Sequence, residues 1–220
     1  MRILLILFLS FFVFSDDHDE MYTEAYGDYL YCSAKEGLSD SKAEKMFEKW
    51  AEAYQEKANS LDDNVSSVML WPFYTNEEMR GGEEMFFVTH APTMKEMGEF
   101  QVAMWNMMND DKSFPESPME CKDSSVAFQR IGPSTGDPEN PWNFFTVDYW
   151  PCKYTENADP VALRTAHAEM AKEHYANGAE GGYRYIYPGA GSPRGEGPDF
   201  WVSAASVSYT HLTLPTISDV

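Results

Sequence analysis

The strongest constraint on this chain is a pattern that occurs twice in the same order. An aromatic strand ends in a cysteine, a helix N-cap follows seven residues later, and the helix leads into two further strands. The first occurrence spans residues 32–91 and the second residues 152–205. Cys32 lies seven residues before Ser39, and Cys152 lies seven before Asp159. That shared offset pairs Phe47 with His167, Trp50 with Met170 and Tyr54 with His174. Trp71-Pro72 then matches Tyr187-Pro188, and Phe86-Phe87-Val88 matches Phe200-Trp201-Val202. Repetition on this scale points to one α+β unit used twice.

The local signals give each unit its elements. Residues 26–32, with Tyr26, Tyr29 and Tyr31, read as a strand. Ser39 caps a helix to about residue 58, whose Ala43, Met46, Phe47, Trp50, Tyr54 and Ala58 recur at helical spacing. Strands follow at 65–73 and 84–90, separated by a loop containing Gly81-Gly82. Pro92 stops the third strand, and Thr93-Met94-Lys95-Glu96 is a capping box for a helix to about residue 108. Met94, Met97, Met104, Met107 and Met108 on that helix, with Phe100 and Trp105, read as adaptable core. A fourth strand at 119–131 closes the order β-α-β-β-α-β over residues 26–131. Residues 132–143, rich in Gly, Pro, Asp and Asn, read as a linker to the second unit, 144–205. There Asp159-Pro160 opens a helix, Asn177-Gly178 closes it, and Tyr183, Tyr185 and Tyr187 alternate along a strand.

Charge excludes several partners. With 16 basic against 36 acidic residues the net charge is −20, a surface that repels nucleic acid and anionic membranes. Arg2, the apolar run 3–14 and Val13-Phe14-Ser15 have the form of an export signal over residues 1–15, followed by a flexible acidic start at 16–25. A run of twelve residues, apolar apart from Ser10, is too short to span a bilayer, so no membrane association is expected after cleavage. The expected compartment is the periplasm or the exterior. There Cys32, Cys121 and Cys152 are disulfide candidates before they are metal ligands, and no Cys-x-x-Cys is present. Asn64-Val65-Ser66 is a formal glycosylation sequon, relevant only in a eukaryotic source.

Residues 207–216, VSYTHLTLPT, resemble the translation of a transposon-type sequencing-library adapter. The resemblance implies that residues 206–220 are foreign, that the natural sequence stops near Ala205, and that His211 carries no functional meaning.

The order of elements over residues 26–205 resembles the ferredoxin-like fold in its tandem dimeric α+β barrel form, and the chain is similar to uncharacterised exported proteins of marine bacteria. That resemblance implies two four-stranded antiparallel sheets packed face to face, a pseudo-dimer within one chain, with the second repeat truncated. It also makes strands one and four neighbours, so that Cys32 could approach Cys121, leaving Cys152 to a missing strand.

Chemistry is thinly marked. His167 and His174 share a helix face but lie about 10.5 Å apart, too far to share one metal ion. The loop Gly189-Ala190-Gly191-Ser192-Pro193-Arg194-Gly195 lacks a Lys-Ser/Thr ending and precedes a strand, so it is a hairpin loop. No metal or cofactor is expected. Trp71, Phe73, Tyr185, Tyr187 and Trp201 are the candidates for an apolar pocket between the sheets. The expected function is binding of a small apolar or aromatic molecule there. The alternatives are a cofactor-independent oxygenase-like enzyme with His90 as base, or a structural or interaction module without a ligand.

Overall fold

Pairing of the tyrosine-rich first strand with two partners organises the sheet. In the computed structural model, which describes residues 21–38, 40–61, 64–71, 85–136, 145–192 and 197–206, β1 is Thr23–Ala34. The elements after it are α1 (Asp40–Asn59), β2 (Ser66–Leu70), β3 (Met85–Ala91), α2 (Met94–Asp110) and β4 (Met119–Ser134). Then come β5 (Thr146–Cys152), α3 (Pro160–Ala176), β6 (Gly182–Pro188) and β7 (Phe200–Ser206). Residues 1–20, Ser39, Phe73, the Gly81-Gly82 loop, residues 137–144 and residues 207–220 lie outside the described residues. Among the described residues no helix is long and apolar enough to cross a membrane.

The helices begin where side-chain chemistry starts them. Thr93 caps α2 by accepting from the Glu96 amide at 3.1 Å, and its hydroxyl donates to the Glu96 carboxylate at 2.7 Å. Asp159 accepts from the amides of Val161 and Ala162, with Pro160 at the first turn of α3. Gly178, at φ +89°, follows the C-cap of α3 in the left-handed region that glycine tolerates best.

The strands form one antiparallel sheet in the order β2-β3-β1-β4-β6-β7-β5. This corrects the expectation of two sheets packed face to face. The join is made by β4, which pairs with β6 from Ala127–Pro188 through Ile131–Arg184. Backbone groups on the outer edge of β4 are thereby satisfied within the chain. The start of β1 is also earlier than expected. Thr23–Ala25 pair with Ile131–Gln129, and Tyr22 is buried with its hydroxyl donating to the Arg164 carbonyl at 2.7 Å.

Alternation along each strand divides the sheet into two faces. One carries the helices. Trp50 and Tyr54 of α1 pack on Phe87, and Met97, Phe100 and Met104 of α2 join the same cluster. Under α3 a second cluster contains Tyr22, Ala168, Tyr185 and Phe200. The sheet curls toward its other, far face. His90 of β3 and Arg184 of β6 stand three strands apart, about 14 Å in a flat sheet, yet their side-chain nitrogens are 2.7 Å apart.

The sulfurs of Cys32 and Cys121 are bonded, joining β1 to β4 across 89 residues of chain. Cys152 carries a free thiol. Cys32 faces Met85 in the ladder, and Cys152 faces Phe200.

Candidate functional site

Two features concentrate recognisable chemistry, and they lie on opposite faces of the sheet. On the helix-covered face a cavity of about 340 Å³ opens between α1 and the ends of β1, β3 and β4. Its walls are Ala34, Ala43, Phe47, Trp71, Met85, Pro118 and Met119. Phe47 and Trp71 meet edge to face at 5.3 Å between ring centroids, the arrangement aromatic quadrupoles favour. Trp71 remains 55% exposed, so it presents indole surface at the mouth. Met85 and Met119 supply unbranched side chains that adjust to a guest's shape. The disulfide steadies one wall, because Ala34 and Met119 are ladder partners two residues beyond Cys32 and Cys121.

The far face carries a polar cluster drawn from four strands. Gln129 of β4 is fully buried and donates from Nε2 to the Tyr29 hydroxyl at 2.7 Å. Its Oε1 accepts from Arg184 Nη1 at 3.0 Å. The same Nη1 lies 2.7 Å from His90 Nε2. A guanidinium only donates, so His90 accepts at Nε2 and carries its proton on Nδ1. Gly27 sits beneath this network, since a Cβ there would fall 2.1 Å from Gln129 Nε2.

Burial, with Arg184 adding repulsion, holds the His90 pKa well below the usual imidazole value. Burial raises the Tyr29 phenol far above its ordinary range, Tyr149 adds to the rise, and Arg184 opposes it. Tyr149 of β5 is pushed up to about 12 by burial against the pull of Arg184. All three side chains are therefore neutral at physiological pH, leaving Arg184 the charged member.

This has a consequence for stability. The unfolded chain protonates His90 near 6.5, before the folded chain does, so stability is full above that value and declines as pH falls through it. One such group contributes at most about 1.4 kcal/mol per pH unit, and His167, lowered by burial, adds with the same sign. Urea titrations from about pH 8 to 5 should show this slope, and His90→Gln should flatten it. An unchanged slope in that variant would remove His90 from the account.

The candidates named from sequence do not share one pocket. Trp71 lines the cavity under α1. Tyr185 and Tyr187 lie on the helix-covered face beneath α3, in contact with Phe200. Trp201 faces the far side, as the ladder partner of Ile186. Phe73 lies outside the described residues. His90 belongs to the polar cluster with its Nε2 lone pair turned to Arg184, so acting as a base requires that contact to open. Tyr29, Gln129 and Arg184 were missed. Arg184, a lone cation between Tyr183 and Tyr185 in an alternating strand, is the one signal that pointed to a polar far face. Among the described residues no three His, Cys, Asp or Glu side chains cluster to hold a metal ion.

No protein-family model matches the chain, and no curated protein matches it. Among solved structures it is similar to a mutant chlorite dismutase from Candidatus Nitrospira defluvii in complex with cyanide, at 12% identity and a TM-score of 0.47, covering 85% of this chain and 78% of that one. It is also similar to the chlorite dismutase of that organism in complex with imidazole, at 11% identity and a TM-score of 0.46, covering 83% and 76%.

Proposed function

We propose that this protein binds a compact apolar or aromatic molecule in the cavity between α1 and the sheet. The observation that carries the reading is the cavity itself, about 340 Å³ with walls of alanine, methionine, phenylalanine, proline and tryptophan. That volume lies at the small end of ligand sites, which suits one or two fused rings. Trp71 and Phe47 offer ring faces and edges to such a guest. The reading includes two repeats of one ferredoxin-like unit forming a pseudo-dimer within the chain. Strand order β2-β3-β1 in the first half and β6-β7-β5 in the second supports it, since each runs second, third, first. It also includes an exported protein, which the Cys32–Cys121 bridge supports, because such bonds persist in oxidising compartments.

The test is titration with naphthalene or indole, followed by Trp71 fluorescence and calorimetry. Saturable binding at one site is expected, and Ala43→Leu, which fills the cavity from α1 at little cost to the helix, should weaken it at least about tenfold. Full affinity in Ala43→Leu, or no saturable binding in the unaltered chain, would overturn the proposal.

A further inference from the structure

The far face holds a second site, independent of the cavity. We propose that Arg184, with Tyr29 and Tyr149, binds the carboxylate of a small organic acid whose apolar body lies along Trp201.

The first observation is an uncompensated cation. Arg184 is part-buried, and among the described residues its partners are the neutral Gln129 and His90, both reached through Nη1. No carboxylate pairs with it among the described residues, although the chain has 36 acidic side chains. The one buried acid there, Asp28, lies on the opposite face, where it accepts from Gln101 of α2 at 2.5 Å. A guanidinium has five donors in a planar fork, and Nη2 and Nε remain to grip two carboxylate oxygens.

The second observation is convergence of further donors. Tyr29 accepts from Gln129 Nε2, which leaves its own hydrogen to donate. Tyr149 of the edge strand β5 lies in one ladder row with Arg184, both paired to Ser203 of β7 between them, so the two side chains share a face two strands apart. The far face thus carries a cation and two phenols on one side. Gln129, fully buried, fixes the fork and the Tyr29 ring together, so the arrangement exists before a ligand arrives.

The third observation sets the ligand's body. Trp201, half-buried, is the ladder partner of the buried Ile186, which follows Arg184 by two residues, so Trp201 and Arg184 share a face. A flat aromatic or short aliphatic acid meets the fork with its carboxylate and the Trp201 ring with its carbon frame.

The experiment titrates the full chain with benzoate, reading Trp201 fluorescence and calorimetric heat, with benzyl alcohol as the uncharged counterpart. Benzoate should bind about tenfold or more tightly than benzyl alcohol, and Arg184→Gln should weaken benzoate about tenfold. Arg184→Lys keeps the charge without the fork and should fall between the two. Naphthalene or indole binding at the cavity should be unchanged in both variants, which shows that they fold and separates this site from the other. Equal benzoate affinity in the unaltered chain and in Arg184→Gln, absence of saturable benzoate binding, or inorganic phosphate competing as well as benzoate would each overturn the proposal.

Discussion

Replacing both Cys32 and Cys121 with alanine should lower the unfolding free energy by about 4 kcal/mol. The bond closes a loop of 89 residues, and a cross-link of that span removes roughly 4–5 kcal/mol of chain entropy from the unfolded state. The native state changes little, because β1 and β4 share the longest ladder in the sheet, from Thr23–Ile131 to Ala34–Met119. For a domain of this size each kcal/mol moves Tm by about 2–4 °C, so a fall of roughly 8–16 °C is expected in a thermal scan. Cys32 is fully buried, so the alanine there adds a small packing loss in the same direction. The ladder shifts register between Tyr31 and Cys32, so the bond holds the cavity end of β1 beyond an irregularity. Naphthalene affinity at the cavity should therefore fall as well, while benzoate affinity on the far face stays. A loss under about 1 kcal/mol would show that the ladder holds this register without help from the sulfurs.

Elements were legible because their signals are local. Thr93 and Asp159 each announced a helix start, and Gly178 an end, from side-chain chemistry that depends on a few neighbours. Apolar spacing in α1 marked Trp50, Tyr54 and Ala58, all of which are buried. Face assignment in the second half was not legible. An alternating Tyr183, Tyr185, Tyr187 shows that three rings share a face, but not which face meets a helix. Phe200 packs under α3 while its neighbour Trp201 faces the far side, because in a strand one residue exchanges inside for outside. The polar cluster needed tertiary knowledge outright. His90 and Arg184 are 94 positions apart in sequence, and only the curl of the sheet joins them.

The largest single-residue effect should fall on Tyr185. Its side chain is fully buried, and Tyr22, Tyr183, Tyr187, His167 and Phe200 all lie within 6.4 Å of its ring centroid. Truncation to alanine removes a large ring from a packed site and should cost about 3–5 kcal/mol, read as a lower urea midpoint at constant slope. Tyr185→Phe keeps the ring and loses only the hydroxyl contact to His167 Nδ1 at 2.7 Å, a cost of about 1–2 kcal/mol. The pair of variants separates packing from hydrogen bonding, and it also separates core from ligand site. Because Tyr185 lies beneath α3, on the face opposite Arg184 and away from the cavity, Tyr185→Phe should leave naphthalene and benzoate affinities within about twofold of the parent. If Tyr185→Phe instead lost ligand affinity tenfold with little change in stability, the ring would face a guest. The space under α3 would then have to be redrawn as a pocket. Dense edge-to-face and stacked contacts around this ring leave no room for that outcome, and a ring so enclosed acts through packing.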